Sequence, residues 1–339
     1  MSFNKIAVYG HRGWTSSAIV SSLAASGAPV KVLYRPGSDT SGLPSTVIKI
    51  EVDLEDQNAL ITALEGVDIL ISLVGQTGVT KQHAFVKAIP STSVKMFSPS
   101  DLAARYDEQG LLILVNKAKM EVEMAAKEAG IPTTIVLPGN FAEFALNTPA
   151  MGVDFTGNRI VFSGNSAEEQ LNLCTRAYVA TAYASIFTRT PISEIQNRDI
   201  ALMEVVPTGK EIAVALQKRH GRPCQIIRHS IDKVETEIEA GLDSGSPFTL
   251  AWYCRKIWAT GKQKAMVGED IWEVDGYQKA SLESLIVGGE LDAYRTPPGG
   301  HRLYQHYFLT VRPDTFEIKI VEIDAGYECH ISCIRGVIF

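Results

Sequence analysis

The sequence contains no run of about 18 apolar residues, so nothing in it reads as a membrane-spanning helix. It opens Met1-Ser2-Phe3-Asn4-Lys5, polar and followed only by a short apolar run, so no signal peptide is expected. Cysteine is scarce, with five in 339 residues. Cys174, Cys224 and Cys254 stand alone, and only Cys329 and Cys333 are near neighbours. That is too sparse and scattered for a disulfide scaffold, and it suits a reducing, cytoplasmic setting. Cys329, His330 and Cys333 lack the further ligands that finger-like spacing needs, so no metal is expected there. Positive charge is also short: 32 Lys and Arg against 38 Asp and Glu leave a net charge of −6. A nucleic-acid partner wants a basic face, and none is expected. A small anionic ligand needs only one local basic pocket and stays open. Low-complexity tracts and internal repeats are absent.

What is present is an ordinary globular composition, 45% hydrophobic and 21% charged, which argues against disorder. A chain of this length can bury a large core without disulfide or metal staples, and its length suggests about two domains. In the first half, short apolar runs alternate with helical segments. Strands are expected at Ile6–Tyr9, Val30–Tyr34, Val47–Val52, Ile69–Leu73, Val94–Phe97 and Thr133–Leu137. Helices are expected at Ser16–Ser26, Gln57–Leu64, Gln82–Ile89 and Asn116–Ala129, the first and last stopped by Gly27 and Gly130. Continuous apolar strands separated by helical crossovers are the pattern of an α/β protein with a Rossmann-type, doubly wound parallel sheet.

The second half is less regular. A strand is expected at Arg159–Phe162, helices at Tyr178–Phe187 and Lys210–His220, and a strand at Ile200–Val205. From Gly241 the chain turns aromatic, with Phe248, Trp252, Tyr253, Trp258 and Trp272 close together. These rings either pack in a core or dimer contact, or line a substrate cavity. Arg295–Gly300 reads as a loop, and the alternation of Phe316, Ile318 and Ile320 as a strand. The expected organisation is a dinucleotide domain over residues 1–150, a smaller α/β substrate-binding part over 151–310 that interleaves with it, and an atypical tail over 311–339.

The first strand runs into Gly10-His11-Arg12-Gly13-Trp14-Thr15-Ser16, and a helix follows at once. Gly10 and Gly13 let the backbone turn tightly and approach a pyrophosphate held by the helix N-terminus. Ser16 occupies the third position, where glycine would complete the pattern and serine is a small replacement. Arg12 either touches phosphate or points to solvent. The second strand ends at Arg35, where NAD-binding sheets place an acid for the ribose hydroxyls. A guanidinium there suits a 2′-phosphate, so NADP(H) is expected in preference to NAD. Asp53, after the third strand, either bonds the adenine or caps the next helix.

Ligands bind beyond the carboxyl ends of parallel strands. The turns Val74-Gly75-Gln76 and Ser98-Pro99-Ser100-Asp101, with Pro138-Gly139-Asn140-Phe141 after the sixth strand, should therefore face the cofactor. On the helix between, Lys117 and Glu121, and Lys119 and Glu123, sit four apart, the spacing of a solvated helix face.

Taken together, Gly10-x-x-Gly13, Arg35, Ser98-Pro99-Ser100-Asp101 and the run from Lys119 to Glu128-Ala129-Gly130-Ile131-Pro132 resemble the isoflavone-reductase-like, NmrA-like branch of atypical short-chain dehydrogenases. The resemblance covers about residues 4 to 225 well and is vaguer to about 300. It implies NADPH binding and reduction of a small, aromatic or secondary-metabolite carbonyl or activated alkene. It equally leaves room for a redox-neutral enzyme such as a cyclase, or a sensor that binds NADP without turnover. In the reductases of this family a lysine twelve residues before the Ile-Pro pair lies by the nicotinamide. Counting back from Ile131 selects Lys119 as the catalytic residue, not Lys117. The Tyr-x-x-x-Lys pair of ordinary short-chain dehydrogenases is absent, because position 115 is Val115, and Tyr106 reads as a loop residue. His220 and His229 read as surface or structural. The expected partner is a small-molecule substrate, with neither nucleic acid nor membrane, and a homodimer is open.

Overall fold

The computed structural model describes residues 3–295 and 308–309, together with the backbone of 317–323 and 326–332. Its centre is a parallel sheet. Strands β1 (Ile6–Tyr9), β2 (Val30–Tyr34), β3 (Ile48–Glu51), β4 (Ile69–Ser72) and β5 (Met96–Ser98) lie in the order β3-β2-β1-β4-β5. In register, Ile6 stands between Val30 and Ile69, and Tyr9 between Leu33 and Ser72. A parallel bridge from Phe97 to Thr133 carries the sheet on to β6 (Thr134–Leu137).

The apolar runs of β1 and β4 are continuous because both faces of these inner strands are covered, whereas the edge strand β3 is largely exposed. Ile6 and Val8 turn to one side, against Ile19 and Leu23 of helix α1 (Trp14–Ala25). Ala7, Leu33 and Leu70 turn to the other, against α2 (Gln57–Ala63), α3 (His83–Ala88) and α4 (Leu114–Glu128) through Leu60, Phe85 and Val122. Burying each such aliphatic side chain contributes roughly 1.5–3 kcal/mol, which is why the alternation of faces is strongly specified.

The rest of the chain returns to this sheet as well as building beside it. After β7 (Asn140–Phe141), α5 (Ala142–Asn147), β8 (Val153–Asp154), β9 (Arg159–Ser163) and β10 (Leu173–Cys174), helix α6 (Arg176–Thr188) packs against α1. Past the short α7 (Ile192–Ile195), β11 (Arg198–Ala201) pairs in parallel with β6. Further along the chain come α8 (Gly209–His220), β12 (Gln225–His229), α9 (Ile231–Ser244), α10 (Thr249–Ala259) and α11 (Lys262–Val267), with β12 parallel to β9. The hairpin β13 (Glu317–Ile323) and β14 (Gly326–Ser332) pairs antiparallel.

Several boundaries differ from the sequence reading. Helix α1 begins at Trp14, because Gly13 in extended backbone already caps it. Helix α4 begins at Leu114, two residues early, with Ile113 as its cap. The strand expected over 200–205 spans Arg198–Ala201, and Val205 instead bridges back to Leu173. Asp53 does not cap α2: the side chain of Asp56 does, accepting from the Ala59 N–H at 3.0 Å, while Asp53 turns onto the Glu55 N–H. Trp252, Tyr253 and Trp258 are each 1% exposed and belong to the core. The strand read from Ile318 and Ile320 is present as β13. Phe316, Cys333 and residues 296–300 lie outside the described residues, as do the side chains of Cys329 and His330.

Candidate functional site

The glycine loop joins β1 to α1 at the carboxyl edge of the sheet. Gly10 has φ +96°, and an added Cβ would stand 2.7 Å from the Leu73 main chain. Only glycine fits, and the loop is thereby pressed against the turn that follows β4. Ser16 is buried and its hydroxyl donates to the Gly13 carbonyl at 3.2 Å, which closes the first turn compactly. His11 is buried too. Its Nε2 lies 3.0 Å from the Asp39 carbonyl and its ring meets Tyr34 edge-on, tying the glycine loop to the loop after β2. That second loop carries Arg35. Arg12 and Arg35 are both exposed, and among the described residues neither has an ion-pair partner. Two exposed guanidiniums thus stand beside a glycine turn and a helix N-terminus, groups of the kind that can take an anion, and Arg12 also feels the charge of Asp39.

The turns after β4 and β5 are bonded to each other. The Ser100 hydroxyl donates to the Val74 carbonyl at 2.8 Å, and the Ser100 N–H donates to Gln82 Oε1 at 2.8 Å. Gly75 and Gln76 are exposed, and a Cβ on Gly75 would project into open space. Ser98 and Pro99 are buried beneath. Pro138 and Asn140 are anchored on Asn172, and Phe141 meets Trp14 edge-on at 5.5 Å. Trp14 also receives the Arg176 guanidinium at 5.2 Å and the ring of Tyr294 at 5.0 Å. Thr15 lies half-buried beside it in the first turn of α1. Thus Gly10, Trp14, Val74, Ser100 and Phe141 converge along one edge.

Lys119 comes to this edge from the second turn of α4. It does not pair with Glu123, which instead takes the Arg105 guanidinium. The Lys119 ammonium donates to Asp101 Oδ1 at 3.0 Å and to the Tyr106 hydroxyl at 3.2 Å. The Tyr106 hydroxyl itself donates to Asp101 Oδ1 at 2.8 Å. Tyr106 is a loop residue, as expected, and its hydroxyl makes it part of the corner. Burial, helped by the Asp101 charge, holds the Tyr106 phenol well above its ordinary range, so it stays a neutral donor. By contrast, Lys117 is exposed and lies 3.9 Å from Glu121, a solvated pair of the expected kind. A cleft of about 110 Å³ opens beside the corner, lined by Asp101, Arg105, Tyr106, Leu111, Met120 and Glu123. A larger hollow of about 500 Å³ lies on α8 against Leu282 and Glu283. It carries no comparable chemistry, because its lysines Lys210 and Lys218 are paired with Glu168 and Glu283.

Behind Phe141 sits Glu143, 2% exposed, which sequence reasoning missed. Its Oε1 accepts from the Arg176 N–H at 2.8 Å, and its Oε2 has no partner among the described residues. Burial pushes its carboxyl up to about 7, against the pull of the Arg176 N–H. The available signal was a lone carboxylate in the apolar run Phe141-Ala142-Glu143-Phe144-Ala145-Leu146.

The NmrA-like family profile matches residues 2–249, more than half of the chain, and the chain belongs to that family. It is 30% identical to the isoflavone reductase homolog IRL of Zea mays over 156 residues, covering 42% of this chain and 50% of that protein. It is 31% identical to phenylcoumaran benzylic ether reductase 1 of Arabidopsis thaliana over 162 residues, covering 43% and 52%. The chain thus spans about half the length of these curated relatives. Among solved structures it resembles the binary complex of leucoanthocyanidin reductase and NADPH from Vitis vinifera, with a TM-score of 0.65 at 16% identity, over 91% of this chain and 100% of that one. At that identity the likeness is one of fold, and it agrees with the parallel sheet and its covering helices. No described helix is long and apolar enough to cross a membrane.

Proposed function

We propose that this protein is an NADPH-dependent reductase of a small, aromatic or secondary-metabolite carbonyl or activated alkene. The observation that carries the reading is the Lys119 ammonium, held by Asp101 and Tyr106 at the carboxyl end of β5, on the same edge as the glycine loop. Relatives named as isoflavone and phenylcoumaran benzylic ether reductases support it.

The residues fit a dinucleotide with a 2′-phosphate. Gly10 and Gly13 give the pyrophosphate close access to the α1 N-terminus, and Arg12 and Trp14-Thr15 flank it. Arg35 meets the 2′-phosphate with a permanent, unpaired charge. The Val74-Gly75-Gln76 turn, the Ser98-Pro99-Ser100 turn, and Pro138, Asn140 and Phe141 wall the far half. When bound, NADPH supplies a hydride. Lys119 donates a proton or hydrogen bond to the oxygen on which negative charge develops, a contribution typically worth 10²–10⁴ in rate. Residues 1–150 would hold the dinucleotide, and 151–310 would bring most of the substrate contacts.

A panel of phenolic and alkaloid substrates with NADPH tests the reading, with cofactor absorbance and product mass recorded together. Loss of NADPH absorbance in step with a product two mass units heavier is the expected result (one hydride plus one proton). Product without NADPH loss would replace it with redox-neutral chemistry. Binding with no product would replace it with a sensor.

A further inference from the structure

A lysine has three N–H donors on a flexible stem of four carbons. For Lys119, two of those donors are engaged, with Asp101 Oδ1 at 3.0 Å and with the Tyr106 hydroxyl at 3.2 Å. The two acceptors stand only 2.8 Å apart, on one side of the tetrahedral ammonium, so an N–H is left pointing away from them. We propose that Asp101 and Tyr106 are positioning residues that aim the remaining N–H of Lys119 at the substrate oxygen. The proposal rests on the reductase reading for its substrate.

The clamp is over-determined. Tyr106 donates to the same Asp101 oxygen at 2.8 Å, so the three groups form a closed ring of hydrogen bonds. The ring of Tyr106 lies 5.9 Å from the Lys119 ammonium, within cation–π range. The Asp101 side chain is 5% exposed and follows directly on Ser100, which is pinned to Val74 and Gln82. The clamp therefore moves with the end of the sheet and not with a surface loop. Other charges in the corner are spoken for. Arg105 is taken by Glu123 and Asp199. Cys254, on α10, feels the charge of Lys119, but burial pushes its thiol up to about 12, so it is neutral. Tyr106 is neutral for the same reason.

In the step itself, with NADPH as the reductant, the substrate carbon gains a hydride and its C–O π pair moves to oxygen. The free N–H of Lys119 breaks as the new O–H forms. The resulting amine regains its proton from water, for which the adjoining cleft of about 110 Å³ has room.

Two near-isosteric variants test the clamp, Asp101→Asn and Tyr106→Phe, with Lys119→Met as reference and Lys117→Met as control. Steady-state rates are measured on the substrate that the panel finds. Separately, in full-length protein without substrate, acylation of Lys119 by an N-hydroxysuccinimide ester is followed by peptide mass spectrometry, relative to Lys117. Loss of one oriented contact should lower kcat by about tenfold or more while KM stays within about twofold. Acylation of Lys119 should rise by at least about threefold, because an unclamped amine is freer to react. Wild-type kcat and wild-type acylation in both variants, with Lys119→Met inactive, would overturn the clamp and leave the reductase reading standing. No turnover by the wild type on any panel substrate would overturn the reductase reading, and the aim proposed for Lys119 with it.

Discussion

Two sets of cations face the same edge of the sheet, and they are held in opposite ways. Arg12 and Arg35 stand exposed on loops with no ion-pair partner among the described residues. Lys119 is 17% exposed at its side chain and bound to two neighbours. The difference follows from the jobs the two places suit. A cation that is to take a phosphate gains most if nothing competes for it beforehand. A donor that is to meet a developing charge gains most if its direction is set before the substrate arrives. Freedom at one end of the edge and restraint at the other are what the proposed dinucleotide enzyme would need.

The largest effect should come from breaking the restrained end. Lys119→Met should keep the fold and much of the NADPH affinity, and lower turnover by about a hundredfold or more. Lys117→Met, on the solvated pair with Glu121, should change little. Equal turnover in Lys119→Met and wild type would show that the restraint has no catalytic purpose. At the free end, Arg35→Ala should cost about tenfold to hundredfold in NADPH affinity and almost nothing for NADH. Parallel titrations of both cofactors decide this, and equal wild-type affinities would sink the 2′-phosphate assignment.

Glu143 sharpens the comparison from behind the site. Its carboxyl is raised by burial from 4.5 to about 7, so between those values the folded chain holds a proton that the unfolded chain has released. Stability should therefore fall as pH rises through that window, and level off above it. Glu143→Gln should flatten the fall, gaining on the order of 1–2 kcal/mol above neutrality. Urea unfolding of both proteins at about pH 5 and about pH 8 measures it, and parallel pH profiles would contradict the assignment. The smallest effect is expected at the tail. A chain ending at Thr310 should keep NADPH binding, since β13 is paired with β14. Loss of all folded protein would place residues 311–339 in the core.

Much of this was legible from local pattern. The inner strands appear where apolar runs sit between helical segments, because two-sided burial leaves that signature on them; the edge strand β3 is largely exposed. Gly10 was likewise readable, because a tight turn is a local fact, whereas the count that singles out Lys119 came from the family resemblance. What escaped was the clamp. Tyr106 lies thirteen residues before Lys119 and on no helical spacing with it, and the two meet only because the loop after β5 folds over the start of α4. The usable signal was positional: Asp101 and Tyr106 both follow a parallel strand's carboxyl end, where ligands bind. The Lys119–Glu123 spacing misled for a related reason. Arg105 comes from the same loop and takes Glu123 with a forked pair that a lysine cannot match. Burial of the aromatic segment could not be told from cavity lining, because both want the same rings.

The central claim is that the free end and the restrained end serve one hydride transfer. It is tested most directly with NADPH deuterated at the transferable position of its nicotinamide, mixed with the full-length protein and each panel substrate, and the product analysed by mass spectrometry. The account predicts one deuterium in the product, on the carbon that is reduced, and its near disappearance with Lys119→Met on the same timescale. Product that carries no deuterium, or bound NADPH with no product across the whole panel, would contradict it.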